Sequence, residues 1–186
     1  PCHRLQAPGL RGLVRLHLAS ALQRLPLEAR WPIATALAQH EEDANDRQQP
    51  LMIWYGIEPA VAADPMKGVE FIASAKIPTV RRLVARRIAE DIEKQPAAVD
   101  ALVALARSAG FQPSSDGKMP SLLGDILAGM AAGLEGFSTA KKPKGWDEFA
   151  SRTGILPVTS VPGILPGSDK AGRMPAAPES GKMPDL

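Results

Sequence analysis

Glu58 is the residue of this 186-residue chain whose neighbours most resemble those of a catalytic carboxylate. It follows Trp54 by one helical turn, so the two side chains would share a helix face, with Tyr55 beside them. An aromatic ring next to a carboxyl group could form a sugar-binding platform or hold a general acid. A glycosidase needs a second carboxylate, and none stands in a suitable context near Glu58. The pattern therefore favours core packing with a capped or paired glutamate, and a hydrolase using Glu58 is a remote alternative.

A polar loop at residues 41–46 contains four carboxylates: Glu41, Glu42, Asp43 and Asp46. Carboxylate oxygens are ligands of hard cations such as calcium, but the loop lacks the alternating ligand pattern and the central glycine of a calcium loop. We therefore interpret it as a solvated connection that caps the following helix, and we expect no metal there.

The sequence has one basic cluster, which comprises Arg81, Arg82, Arg86 and Arg87. A helix presenting these arginines could bind phosphates. However, Arg86 and Arg87 each have an acidic residue four positions later, Glu90 and Asp91, which neutralises much of their field. Aromatic residues for base stacking are not interleaved with them. The cluster therefore predicts a salt-bridged, solvated face, with a protein- or polyanion-binding surface as the alternative.

Other residue types that bind metals or act as nucleophiles are isolated. His3, His17 and His40 are far apart in the sequence, and the single Cys2 can form neither an internal disulfide nor a paired zinc motif. No glycine-rich phosphate loop, nucleophile elbow or HExxH pattern occurs. The sequence therefore predicts no catalytic residue, no cofactor and no enzyme activity.

The overall charge excludes further classes of function. Lys and Arg number 22 and Asp and Glu number 20, a net charge of +2, which is too small to indicate a nucleic-acid partner.

The longest charge-free run, residues 153–168, contains three prolines and predicts no membrane-spanning helix. Residues 1–12 lack the apolar core of a signal peptide, and the compartment is not predicted. Because the sequence opens with Pro1, we expect a fragment or a processed product.

The elements that must position these residues are helices. Apolar residues recur at steps of three and four positions. The periodic stretches are residues 14–25, 32–39, 51–62, 65–75, 80–92, 96–109 and 122–134. In the first stretch, one apolar stripe is formed by Val14, Leu18, Ala21, Leu22 and Leu25. Residues 51–62 are apolar nearly all round, so this helix is expected to be buried, with Trp54 as a core anchor.

The last periodic stretch contains three glycines, Gly124, Gly129 and Gly133. Each weakens a helix by about 1 kcal/mol relative to alanine. Packing must therefore hold this helix in place, and Trp146 and Phe149 are its expected covers.

Helix pairs begin near residues 13, 50 and 78, and this spacing is typical of stacked helical repeats. From residue 151 onward the chain is rich in Pro and Gly and has no period, so it cannot bury enough apolar area to offset its ordering entropy. The fold class predicted is all-α, a HEAT-like α-α superhelical repeat with a disordered C-terminal tail. Its predicted parts are an irregular segment (1–12), the repeat domain (13–110), a linker (111–120), an amphipathic helix with its cover (121–150) and the tail (151–186).

Several stretches are similar to a known family. They read VRLHLASALQRLP at residues 14–26, EDAND at 42–46, LMIWYGIEP at 51–59, AKIP at 75–78 and ARRI at 85–88. Together they resemble the helical repeat region of PVC-type haem-binding proteins. In that family a dehydrogenase-like β-propeller and a cytochrome c module accompany the repeats, and the parent proteins are exported. Arg47 departs from the histidine that the resemblance implies, and no Cys-x-x-Cys-His motif occurs, so the family's redox groups are carried over to no residue.

Combined, the patterns and the resemblance predict a non-catalytic repeat scaffold. We expect it to be a fragment of a larger multi-domain redox-type protein and to make contacts with other modules of that protein or with a protein partner. The alternative is an independent protein- or polyanion-binding module that uses the face from Arg81 to Arg87.

Overall fold

The computed structural model describes residues 8–110, 121–137 and 140–153. Within these ranges the chain forms eight α-helices, two short 3₁₀ turns and no strand, which confirms the all-α prediction. The helices are α1 (Pro8–Ala21), α2 (Leu27–Ala38), α3 (Gln49–Ala63), α4 (Pro65–Ser74), α5 (Pro78–Glu90), α6 (Pro96–Ser108), α7 (Ser121–Gly133) and α8 (Trp146–Thr153). The 3₁₀ turns are Leu22–Arg24 and Glu41–Asp43.

Proline marks most helix starts. Helices α3 to α6 each have a proline at the first or second position, where its missing N–H costs no helical hydrogen bond. Pro32 was expected to open the second helix, but it lies inside α2, which begins at Leu27. At this position Pro32 has no N–H to donate to the carbonyl of Glu28, so α2 lacks one helical hydrogen bond.

The helices alternate between two layers. Helices α1, α3, α5 and α7 lie side by side in that order, and α2, α4, α6 and α8 follow one another in the second layer. Successive helices from α1 to α7 pack across the layers. Arg30 of α2 strengthens one of these joins, because its guanidinium donates to the carbonyls of Gln23, Leu25 and Gly56 at 3.1, 2.9 and 2.8 Å.

The interior between the layers matches the predicted periodicity best in α5 and α6. The apolar residues that recur at helical steps in these two helices, and in the turn that follows α5, are all buried: Val80, Val84, Ile88, Ile92, Val99, Leu102, Val103 and Ala106. Burial of this kind contributes about 1.5–3 kcal/mol for each large aliphatic side chain.

Two expectations about burial were only partly right. In the predicted stripe of α1, Leu22 is buried, but Val14 and Leu18 are 52% and 47% exposed, and Ala19, which lies outside the stripe, is buried as well. Helix α1 has only α3 beside it in its layer among the described helices, so part of its apolar surface stays uncovered. Likewise α3 is not buried all round, because Tyr55 on its outer side is exposed.

Helices α5 and α7 cross with their backbones in close approach. A Cβ atom placed on Gly129 would overlap the carbonyl oxygen of Arg82 and lie 2.7 Å from the Cβ of Ala85. A Cβ on Gly133 would lie 2.9 Å from that of Ala89. The predicted weakness of α7 therefore has a structural reason, since only glycine allows this separation between the helices.

The C-terminal helix α8 lies against α6. The ring centroids of Trp146 and Phe149 are 5.6 Å apart. Glu148 forms an ion pair with Arg107 of α6, with Oε2 and Nη2 2.8 Å apart. Helix α8 ends at Thr153, so its last three residues belong to the predicted tail, and α1 begins within the predicted irregular segment. The predicted linker 111–120 and the tail from residue 154 lie outside the described residues. Across the described ranges, each helix is too short or too polar to cross a membrane.

Candidate functional site

Arg81, the first arginine of the predicted cluster, points into the protein. It is only 7% exposed, and its guanidinium binds the carboxylate of Asp125 on α7, with Nε and Nη2 at 2.8 and 2.5 Å from Oδ2. Asp125 is itself 9% exposed. Breaking such a buried pair leaves an uncompensated charge, so the pair ties the position of α7 to that of α5.

The surroundings of Asp125 change its acidity. Burial raises the pKa of the Asp125 carboxyl above its ordinary value, since desolvation outweighs the attraction of Arg81 and Arg82. The charged form of the Asp125 carboxyl is therefore less stable in the folded protein than it would be in water. Its two oxygens face the guanidinium groups of Arg81 and Arg82.

Arg87 joins α3 to the end of α5. Its Nε donates to Oε1 of Glu58 at 3.1 Å and its Nη1 to Oδ2 of Asp91 at 2.6 Å. Burial by itself would raise the pKa of Asp91. The hydrogen bonds and positive charges of Arg87 and Lys94 outweigh burial, so the pKa of Asp91 is lowered overall. The predicted pairing of Arg87 with Asp91 is confirmed, as is the prediction of a paired Glu58.

Arg82 and Arg86 lie on the outer surface of α5. Arg86 donates to Oε1 of Glu90 at 2.9 Å, as its spacing predicted, and Arg82 donates to the hydroxyl of Thr79 at 3.3 Å. The four arginines therefore occupy three environments: the interior, the join between α3 and α5, and the surface. Only Arg82 and Arg86 are exposed.

Between α3 and α5 lies a small groove of about 230 Å³ lined by Trp54, Glu58, Leu83, Arg86, Arg87 and Glu90. Trp54 packs partly against the core and partly on this groove, so it is not the fully buried anchor that was expected. The charged side chains of the groove are bonded to one another. Glu58 in particular is held by Arg87, and the groove brings no second carboxylate to it except Glu90, which binds Arg86.

The acidic loop is built around an arginine of α1. Asp43 is buried and accepts two hydrogen bonds from Arg15, from Nε at 2.5 Å and from Nη2 at 2.7 Å. Asp46 accepts from the backbone N–H groups of Gln48 and Gln49 at 2.8 and 2.7 Å, so it binds the N–H of the first residue of α3, although the N-cap residue Gln48 makes no side-chain hydrogen bond to the helix. The prediction of a solvated loop was wrong for Asp43, which is buried. In the part of the chain that is described, no three potential ligands of His, Cys, Asp or Glu come together around a metal position.

A second, larger cavity of about 490 Å³ lies between the start of α6 and residues 141–144. Lys144 and Asp100 meet at its edge, where the backbone N–H of Lys144 donates to Asp100 at 2.7 Å. Lys142 pairs with Asp147 at 3.2 Å. The cavity is thus lined by both acidic and basic side chains.

The sequence reasoning missed Arg15 and Asp125, whose partners stand far away in the chain. A signal existed for Asp125, because it is the one charged residue within the apolar periodic stretch of α7. A lone charge in such a stretch has to find a partner when the helix is buried.

Comparison with known proteins adds no assignment: no protein-family model, curated protein or solved structure matches this chain.

Proposed function

We propose that this chain is a non-catalytic, HEAT-like repeat scaffold within a larger multi-domain protein, and that it holds protein modules in fixed relative positions. The observation that carries the proposal is the alternation of helices between two layers. Such an arrangement makes each helix pair depend on its neighbours in the sequence, as in stacked helical repeats. The resemblance of residues 14–26 and 51–59 to the repeats of a redox-type family gives further support.

The carboxylates also support a structural role. Asp43 and Asp125 are bound to arginines from other helices and are buried. Glu58 is bound to Arg87 across the join between α3 and α5. A general acid or base must reach a substrate proton, whereas these groups are engaged in holding helices together.

Hydrogen exchange by mass spectrometry tests the repeat character. Leu37→Ala removes a buried side chain of α2, and Leu102→Ala removes one of α6. In a stacked repeat each change opens its own end of the array, because coupling passes only between neighbours. We expect faster exchange in α1 and α2 for Leu37→Ala and in α6 and α8 for Leu102→Ala. Equal loss of protection across all helices in both variants would contradict the proposal.

A second candidate function is polyanion binding, which the exposure of Arg82 and Arg86 favours. A polyanion would have to compete with Glu90 for Arg86, so we expect weak and strongly salt-dependent binding. Heparin affinity chromatography of the wild type and of Arg82→Gln/Arg86→Gln tests it. Equal elution of the two proteins would remove this candidate.

A further inference from the structure

Helix α1 presents an apolar stripe to solvent. Leu13, Val14 and Leu18 are 50%, 52% and 47% exposed. Val14 and Leu18 are one helical turn apart and therefore share a face. The outer face of α5, by comparison, carries Arg82 and Arg86, as expected of a surface that stays in water.

The stripe lies at a position in the fold where a helix can be added. Helix α3 has α1 and α5 beside it in the layer, and α5 has α3 and α7. Helix α1 has α3 alone among the described helices. A helix that packs on Val14 and Leu18 would cover α1 as the other members of its layer are covered, because helices of a repeat array bury their apolar faces against neighbours.

The charges around the stripe define its partner. No acidic residue occurs from Pro8 to Leu27. Arg15 is neutralised by Asp43, but Arg11 and Arg24 are exposed and form no ion pair with the described residues. Arg11 also shares the face of Val14 and Leu18, since the three recur at steps of three and four positions. The same positive charges would repel one another if two copies of α1 paired.

We propose that the stripe of α1 is a docking surface for an acidic amphipathic helix of another protein or module. Leucine-like residues of the partner would cover Val14 and Leu18, and its carboxylates would face Arg11 and Arg24. This inference rests on the proposed scaffold function and specifies the chemistry of one of its partners.

The test uses the full 186-residue chain and two synthetic amphipathic peptides. Both carry the same leucine stripe, one with glutamate and the other with lysine at the flanking positions. Fluorescence anisotropy measures the affinity of each. We expect the glutamate peptide to bind at least about tenfold more tightly than the lysine peptide, with the difference reduced by salt.

Variants of the protein locate the binding. Val14→Glu/Leu18→Glu should weaken the glutamate peptide by about tenfold or more, since it removes the apolar anchors. Met66→Glu, an equally exposed position on α4, is the matched control and should leave the affinity unchanged. Arg11→Glu/Arg24→Glu should invert the preference in favour of the lysine peptide. Circular dichroism confirms that each variant keeps its helices.

Three results with the peptides and variants would overturn the inference, in addition to the vesicle result below: equal affinity for the two peptides, equal affinity of wild type and Val14→Glu/Leu18→Glu for the glutamate peptide, or a dimer in sedimentation that this double variant dissociates. The third would identify a second copy as the occupant. Binding to anionic phosphatidylglycerol vesicles without peptide binding would likewise overturn it in favour of a membrane surface. If hydrogen exchange shows the repeat pattern but neither peptide binds, the docking surface is rejected and the scaffold proposal remains. A uniform exchange pattern would instead remove the scaffold proposal itself.

Discussion

Gly133 of α7 and Arg86 of α5 touch through their backbones: a Cβ atom on Gly133 would lie 2.5 Å from the carbonyl oxygen of Arg86. Cβ atoms in proteins do not approach other atoms so closely. The obstacle is backbone, which cannot rotate away as a flexible side chain can. Gly133 and, one turn earlier, Gly129 therefore fix the distance between the two helices.

Alanine at either position should push the helices apart. We expect Gly129→Ala and Gly133→Ala each to lower the free energy of unfolding by about 1–3 kcal/mol, because overpacking outweighs the gain in helix propensity. Urea unfolding measures the change. Gly124→Ala is the matched control, since a Cβ there would meet nothing within 4 Å. It should stabilise the protein by about 0.5–1 kcal/mol, and destabilisation of all three variants alike would contradict the close-packing explanation.

The buried pair of Arg81 and Asp125 should be costly to break and cheap to replace. Arg81→Met leaves the Asp125 carboxylate buried without its main partner, so we expect a loss of about 3–5 kcal/mol. The double variant Arg81→Met/Asp125→Leu should recover most of that loss, since two apolar side chains can pack where the charges were. Arg86→Met, which breaks an exposed pair, should change stability by less than about 1 kcal/mol. No recovery in the double variant would show that the pair has a further role.

Trp54 should contribute less to stability than a fully buried tryptophan. It lines the groove beside Glu58 as well as packing on the core. We expect Trp54→Ala to cost about 1–3 kcal/mol, below the roughly 3–5 kcal/mol of an emptied interior site. The neighbouring Tyr55→Ala should cost less than about 0.5 kcal/mol, because Tyr55 faces solvent. Equal losses would mean that the two side chains are equally buried in solution.

The acidity of Asp91 predicts one part of the pH dependence of stability. Its pKa is lowered in the fold, so its contribution is present above the ordinary value of 3.8 and is lost as the pH falls through the lowered value. Between about pH 5 and about pH 3, the wild type should therefore lose more unfolding free energy than Asp91→Asn. Thermal melts at several pH values measure this difference. A pH dependence unchanged in Asp91→Asn would contradict it.

Asp125 should show the opposite sign. Its pKa is raised in the fold, so its favourable contribution is largest below the ordinary value and falls as the pH rises through the raised value. The wild type should therefore exceed Asp125→Asn in unfolding free energy by less and less as the pH rises from 3.8 through the raised pKa of Asp125. An advantage that grows with pH would mean that Arg81 controls this carboxyl more strongly than burial does.

Helical periodicity predicted which residues are buried wherever a neighbouring helix covers the apolar face of the helix. In α5, Val84 and Ile88 recur at the helical step and are both buried. The same pattern in α1 was misleading for Val14 and Leu18, because periodicity shows that a helix has an apolar face but not whether another helix covers it. Coverage depends on the tertiary arrangement, which short-range spacing does not contain.

The arginine-rich site was predictable only in its local part. The pair of Arg86 and Glu90 follows from four-residue spacing within one helix. The partner of Arg81 lies on another helix, beyond the reach of any helical pattern. Gly129 and Gly133 are spaced as Ala85 and Ala89 are, and small residues at four-position steps on two helices are typical of a close crossing. That signal was present in the sequence and indicates which helices touch.

The 44 positions that separate Arg81 from Asp125 also impose an order of assembly. Contacts this distant in the sequence form only after the intervening chain, including all of α6, has closed into a loop, and that closure costs entropy before the contact stabilises anything. A nascent chain emerges with its N-terminal end first. We therefore expect helix α7 to be the last of its layer to dock. Before α7 docks, Ala85 and Ala89 of α5 would be exposed to water and Arg81 would have no carboxylate partner on α7.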